Sequence, residues 1–229
     1  MGLDIRMSEG LATLRLLAWL SPAFPTGAYA YSHGVEWAVE CGDVRDAVSL
    51  RGWVESILRH GAGRSDAILL AHAHRCHADP AALAGLVELA LATAGCRERR
   101  AEAVGQGNAF VAAAGAWGAD GLRDLADRVG DVPYCIAVGA MAGGHGIAVA
   151  AAVRGAVQGF AANLISAAVR LVPLGQSAGL SVLAGLEAVV LAVADEACAA
   201  GLDDLGGACF RGDLAAIRHE TQYSRMFRS

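Results

Sequence analysis

From Val132 to Val153 the chain runs without one formally charged residue, a length sufficient to cross a bilayer as a helix. The mean hydropathy of +0.42 makes that question real. What the stretch is made of argues against a span. Ala and Gly dominate it, Pro133 opens it, and Gly143-Gly144-His145-Gly146 breaks it, so its apolar payload per residue is small. Small residues suit close packing between helices, and the reading is two buried helices, Pro133 to Ala142 and Ile147 to Leu171, with no membrane involved.

The same punctuation recurs along the chain. Leu11, Leu14, Leu17, Ala18 and Ser21 share one helical stripe, which "SPAFP" ends. Acidic capping at Asp43 to Asp46 opens a helix through about His60, with Leu50, Trp53, Val54, Ile57 and Leu58 on its apolar side. Gly61-Ala62-Gly63 ends it, and a helix from Ser65 to Ala78 follows. Asp79-Pro80 supplies a cap and a first-turn proline for Ala81 to Ala94. Arg97 to Trp117 has a charged start and an Ala-rich body, Asp124 to Val129 is a short linker helix, and Ser177 to Ala199 is a further helix. Gly159, Gly175, Gly179 and Gly185 mark close backbone approach where they fall inside helices. The expectation is an all-α, single-domain helical bundle of about eight to eleven helices over residues 1–229, with a mobile tail from about residue 212. A chain of 229 residues buries roughly 70 % of its unfolded surface without a metal or a disulfide.

Several function classes are disfavoured by what the chain carries. With 18 basic against 23 acidic residues, the net charge of -5 gives no global electrostatic case for nucleic acid. The six cysteines, Cys41, Cys76, Cys96, Cys135, Cys198 and Cys209, are scattered and form no CxxC pair, the usage of a cytoplasmic protein with reduced thiols. There is no G-x-x-x-x-G-K-[ST], and neither "GAGRSD" nor "GGHG" follows a strand pattern. Ser32, His33 and Glu36 contain a nucleophile and a base, but adjacent residues on a helix point about 100° apart and no G-x-S-x-G elbow is present. His72, His74, Cys76 and His77 are the densest set of metal-ligand types. On a helix, His72 pairs with Cys76 and His74 with His77, in different directions, so they read as surface side chains unless a symmetric dimer completes each pair.

"SPAFPTGAYAYSHGVEW", Ser21 to Trp37, concentrates rings in a chain that is only 6 % aromatic. Drawn as one helical wheel from Ala28 to Cys41, it puts Ala28, Tyr31, Ser32, Val35, Ala38 and Val39 on a bundle-facing side. Tyr29, His33, Glu36, Trp37 and Glu40 fall on the other, a mixture suited to an interface, unless a second helix covers it. Pro22 and Pro25 constrain the entry and present Phe24 and Tyr29. The tail from Arg211 sets four arginines against Asp213 and Glu220, with Tyr223, Met226 and Phe227 interspersed. Asp213 is positioned to cap a helix from Leu214, and the remainder either orders on a partner or packs on its own subunit.

"SPAFPTGAYAYSHGVEWAVECGDV", "RLVPLGQ" and "HETQYSRMFRS" together resemble the UreF family, the F-type urease accessory proteins, from Leu14 to Ser229. The resemblance implies an all-helical, non-catalytic, dimeric adaptor. It would join the D-type (H-type) accessory protein and the G-type GTPase in delivering nickel to apourease, with GTP bound by the partner and no tightly bound cofactor of its own. Pro25, Gly27, Tyr29, Tyr31, Ser32, Gly34 and Glu36 match the family's N-terminal signature. Pro173, Leu174, Gly175 and Gln176 match a turn expected near the dimer or GTPase-facing structure. Arg218, Glu220, Tyr223, Ser224, Arg225, Phe227, Arg228 and Ser229 match the tail expected to contact the D-type partner. Ala28 and Ala30 stand where Gly and Ser are frequent. Competing readings are a helical adaptor for another client and, more distantly, a metal-dependent hydrolase.

Overall fold

The charge-free stretch divides at its glycines. In the computed structural model, which describes the backbone of residues 2–229 and side chains from Glu9 onward, one helix occupies Tyr134–Gly144 and the next Val149–Leu171. Gly146, in the left-handed region at φ 64°, turns the chain between them. Every residue from Cys135 to Gly143 is buried. Among the described residues no single helix is long and apolar enough to cross a membrane.

Twelve α-helices and no strand occur among the described residues: α1 (Gly2–Trp19), α2 (Val35–Glu40), α3 (Ala47–His60), α4 (Ala62–Arg75), α5 (Pro80–Ala92), α6 (Arg97–Ala113), α7 (Asp120–Val129), α8 (Tyr134–Gly144), α9 (Val149–Leu171), α10 (Gly175–Gly185), α11 (Glu187–Ala199) and α12 (Phe210–His219). The all-α single-domain bundle is as expected, but eight to eleven helices was too few. The segment read as one helix from Ser177 to Ala199 is two, bent by 44° where Leu186 turns its buried side chain into the core. A short α2 also stands alone after a left-handed turn.

The capping chemistry is local and legible. Asp46 accepts from the Ser49 amide at 2.8 Å, while the Ser49 hydroxyl receives the Asp46 amide, a reciprocal box at the start of α3. Asp79 accepts from the amides of Ala81 and Ala82 with Pro80 in the first turn of α5. Cys209 rather than Asp213 precedes the first residue of α12, and Asp213 sits in its first turn. α4 starts at Ala62, directly after Gly61, so the break before it is shorter than the glycine pattern implies.

α4 lies at the centre, packed against α3, α8, α9 and α11. Its contact with α8 is backbone to backbone: a side chain at Gly139 would overlap the Leu70 carbonyl, and one at Gly143 the His74 carbonyl. Of the four glycines singled out in the sequence, only Gly179 faces a comparable approach, 2.8 Å to the Val169 side chain, while Gly159 and Gly185 have ordinary contacts at 3.7 Å or more. Leu11, Leu14 and Leu17 of α1 face outward, and Trp19 at its end is buried edge-on to Trp117.

Candidate functional site under the C-terminal strap

The aromatic segment is two pieces rather than one wheel. Ala28–Ala30 form a single 3-10 turn, Tyr31 is extended, and His33 (φ 56°) and Gly34 (φ 77°) are both left-handed before α2 begins. A non-glycine residue pays for that conformation with strain. The reversal brings Gly34 against α12, where a Cβ would lie 2.7 Å from the Ala216 amide nitrogen. The faces therefore sort differently from the wheel. Tyr29 stays exposed and Trp37 half-buried, but His33 and Glu36 turn inward. Phe24 is also inside, 5.2 Å from the Phe110 ring and 5.9 Å from that of Trp117, because the two prolines fold the loop onto α6 instead of presenting its ring.

Residues 220–229, which lie in the region expected to be mobile, form a strap folded across α2 and α6. Glu36 holds its centre: one carboxylate oxygen accepts the Met226 amide at 2.7 Å and the other the Phe227 amide at 3.0 Å. The second oxygen is also 3.1 Å from Nε2 of His219. Nδ1 of His219 is 2.7 Å from Glu98, whose other oxygen accepts from Arg225 at 2.8 Å. At the far end, the Ser229 main-chain oxygen accepts from both the amide and the hydroxyl of Ser32, and the Arg228 amide donates to the Ala30 carbonyl at 2.8 Å. Arg170 lies 4.3 Å over the Phe227 ring and donates to the Tyr29 carbonyl. The Ser32 hydroxyl is thus a strap anchor with its proton committed to a backbone oxygen.

One turn further along α6 lies a second charged group. Glu102 accepts from Arg99 at 2.6 Å and from the Ser229 hydroxyl at 2.9 Å, with His33 Nδ1 at 3.7 Å, outside hydrogen-bonding distance. Arg99 also approaches Asp66 of α4 at 3.5 Å. Burial and the Arg99 charge press the His33 imidazole down to about 4 against the pull of Glu102. Burial pushes Glu102 up, but Arg99 and His33 together outweigh it and hold the carboxyl down to about 2. Asp66 goes the other way: burial, aided by the Glu102 charge, lifts it to about 6 against Arg99. Asp66 and Cys135 line two cavities, of about 160 Å³ and about 240 Å³.

These shifts have opposite signs in linkage. His33, ordinarily 6.5 and about 4 when folded, withdraws stability as pH falls from about 6.5 to about 4. Asp66, ordinarily 3.8 and about 6 when folded, adds stability as pH falls through about 6. The two offset one another. Asp66→Asn removes the second contribution, so denaturant midpoints between about pH 6 and pH 4 fall more steeply with acid in the variant than in the parent. Parallel curves would contradict the assignment.

The UreF family model matches residues 44–187, well over half of the chain. The chain belongs to the UreF family. Among UreF relatives, the "Urease accessory protein UreF" of Methylobacterium sp. (strain 4-46) is 54 % identical over 220 residues, covering 94 % of this chain and 88 % of the relative. The protein of the same name from Methylorubrum populi is 53 % identical, covering 94 % and 98 %. That from Rhodopseudomonas palustris (strain TIE-1) is 48 % identical, covering 96 % and 94 %.

In this UreF-family chain the remaining residues singled out from the sequence divide between inside and outside. Arg218, Tyr223, Arg225 and Arg228 are exposed, Glu220 is half-buried with its carboxylate on the Arg97 amide, and Phe227 is buried. Pro173, Gly175 and Gln176 are exposed at the start of α10, with Leu174 half-buried and Gly175 left-handed at φ 71°. His72 donates through Nε2 to the Ala200 carbonyl, His74 through Nε2 to that of Ile147, and His77 through Nδ1 to that of His74. The Cys76 thiol faces the Ala73 carbonyl. The His72 and His74 rings tie α4 to two different segments while the His77 ring bonds back to α4 itself, and among the described residues no group of three or more His, Cys, Asp or Glu could hold a metal ion. Sequence reasoning missed Glu98, Arg99, Glu102 and His219. A signal was present: Glu98, Glu102 and Gln106 repeat at i, i+4, i+8 on α6, and all three are buried.

Proposed function

We propose that this chain, a urease accessory protein of the UreF family, acts in urease maturation as a non-catalytic adaptor, joining the D-type (H-type) accessory protein to the G-type GTPase for nickel insertion into apourease. In this reading it works as a homodimer in the cytoplasm, nickel is cargo of the assembled complex, and GTP belongs to the partner. The observation that carries the proposal is the outer face of α12 and its strap. Phe210, Leu214 and Ile217, at i, i+4 and i+7, stand outward with Tyr223 and Met226 beside Arg211, Arg218 and Arg228. A pinned strap offering rings and guanidinium groups has the composition of an interface core and lowers the ordering cost of binding. We assign this face to the D-type partner, and the exposed turn at Pro173 to Gln176 to the dimer or the GTPase.

Deleting Thr221 to Ser229 would strip donors from Glu36, Glu98 and Glu102, so an outward-facing double variant is the cleaner probe. Phe210→Asp with Tyr223→Asp leaves the melting temperature near that of the parent and weakens co-purification with the D-type protein by roughly tenfold or more. The isolated chain shows negligible GTP hydrolysis. Wild-type binding by the double variant would remove the assigned surface, and failure of the intact chain to join the D-type protein would remove the reading itself.

A further inference from the structure

Asp66 of α4 stands in the wall shared by the two cavities, and among the described residues its side chain accepts no hydrogen bond. Its charged neighbours are Arg99, 3.5 Å away, and Glu102. Arg99 lies closer to Glu102, at 2.6 Å, so its charge is largely met before it reaches Asp66. With Asp66 ionised, the three groups sum to one negative charge inside the fold. Depth and coverage part at this residue. It lies deep enough for burial to raise the carboxyl to about 6, yet 42 % of its side chain is left uncovered, because it borders open space inside the bundle. A buried carboxylate without donors calls for a partner.

The larger cavity, of about 240 Å³, decides which partner fits. Among the described residues Asp66 is the one acidic side chain on its lining, and no basic residue lines it. An anion is therefore repelled there and a cation attracted, in surroundings of low dielectric. The walls are mostly apolar, with Val157 and Phe160 of α9 among them. Two neutral polar groups join Asp66. The Tyr134 phenol, pushed up to about 12 by burial, keeps its proton. The Asn163 amide N–H donates to the Tyr31 carbonyl at 3.3 Å, which leaves the amide oxygen as a further acceptor. Exposed Tyr29 and Ser166 also line the cavity and give an entry from solvent. A single negative charge, neutral acceptors and apolar walls suit a hydrocarbon body with one cationic head. They suit a metal ion poorly, since no three ligand side chains gather.

We propose that this cavity is a binding site for a small organic monocation, a primary ammonium on a compact hydrocarbon body, whose N–H groups donate to Asp66. The body lies against Val157 and Phe160. An apolar cavity of about 150 Å³ accepts benzene, so a benzyl group has room. The site belongs to the isolated chain and requires neither a partner nor the role proposed above.

The test uses benzylammonium as probe, with benzyl alcohol as its neutral counterpart, titrated into the full chain at pH 8 and followed by amide chemical shifts. The expected result is saturable binding that moves the amides of Ala156, Gly159 and Asn163 and leaves those of Gly85 and Asp127 in place. Benzyl alcohol binds roughly tenfold or more weakly, for want of the charge-assisted hydrogen bond. Asp66→Asn brings the ammonium down to the affinity of the alcohol. As pH falls through about 6, Asp66 takes up a proton and the ammonium loses its advantage in the wild-type chain. His33, at about 4, and Glu102, at about 2, do not titrate in that window, and Arg99, Tyr134 and Cys135 keep their protons throughout it. Equal affinity for the two probes would overturn the proposal, as would shifts confined to other elements or no saturation by either probe. Displacement of benzylammonium by an equal concentration of nickel(II) would assign the cavity to a metal ion instead. The comparison of the two probes is made on the wild-type chain, so it decides the matter even if the asparagine variant folds poorly.

Discussion

Gly107→Ala lowers the melting temperature of the chain by on the order of 10 °C, whereas Gly85→Ala leaves it equal or slightly raised. Both glycines lie in helix interiors, and alanine has the higher helix propensity by roughly 1 kcal/mol, so local preference alone predicts a gain at both. Tertiary contact separates them. A Cβ at Gly107 would overlap the Val132 carbonyl oxygen and lie 2.7 Å from backbone atoms of Pro133 and Tyr134, while at Gly85 nothing lies within 4 Å. Every obstructing atom is main chain at the entry to α8, so relief requires moving that helix. Overpacking of this kind costs about 3 kcal/mol. A thermal scan giving both variants the same shift would show that α6 and α8 do not meet as described.

Arg99→Met and Glu102→Leu each destabilise the chain by roughly 3–5 kcal/mol, and the double variant loses less than either single one. Arg99 and Glu102 are 2.6 Å apart with side chains 12 % and 5 % exposed. Removing one therefore leaves the other short of its nearest counter-charge, Arg99 with Asp66 alone and Glu102 with the Ser229 hydroxyl, whereas removing both leaves neither charge of the pair buried. Denaturant unfolding of the four chains measures the coupling. Additive losses would mean that the pair is not an interacting unit. The acid limb adds a check. Glu102, ordinarily 4.5 and about 2 when folded, contributes stability that is complete above about pH 4.5 and lost as pH falls toward about 2. Glu102→Leu lacks that loss.

The helices and their caps were readable because their causes are local: Asp46 with Ser49, Asp79 with Pro80, and the glycines after Met141. Where the reading failed, the deciding contact came from far along the chain. Gly34 and His33 take left-handed angles because α12 passes beneath them, and no pattern between Ala28 and Cys41 announces that neighbour. The inward turn of Glu36 follows from the same contact, since the carboxylate has donors only once the strap is in place. A wheel drawn for one continuous helix therefore sent His33 and Glu36 outward. The outward direction of Tyr29 and the mixed charge and aromaticity of the tail were legible, because exposed polar and aromatic groups need no distant partner to explain them. The acidic stripe on α6 was visible as spacing but was absorbed into a charged helix start.

The strap joins residues far apart in the order of synthesis. Ser32 and Ser229 are 197 positions apart, and Glu36 waits 191 positions for the Phe227 amide. At roughly 5–20 residues per second, the interval between them is on the order of 10 s. Most of the bundle is made within that time, and even when α12 is complete its inner carboxylates still lack Arg225 and the Met226 and Phe227 amides. Glu36, Glu98 and Glu102 are covered only once the chain has been made as far as Ser229, so closure of the strap is a late step that waits on every helix before it.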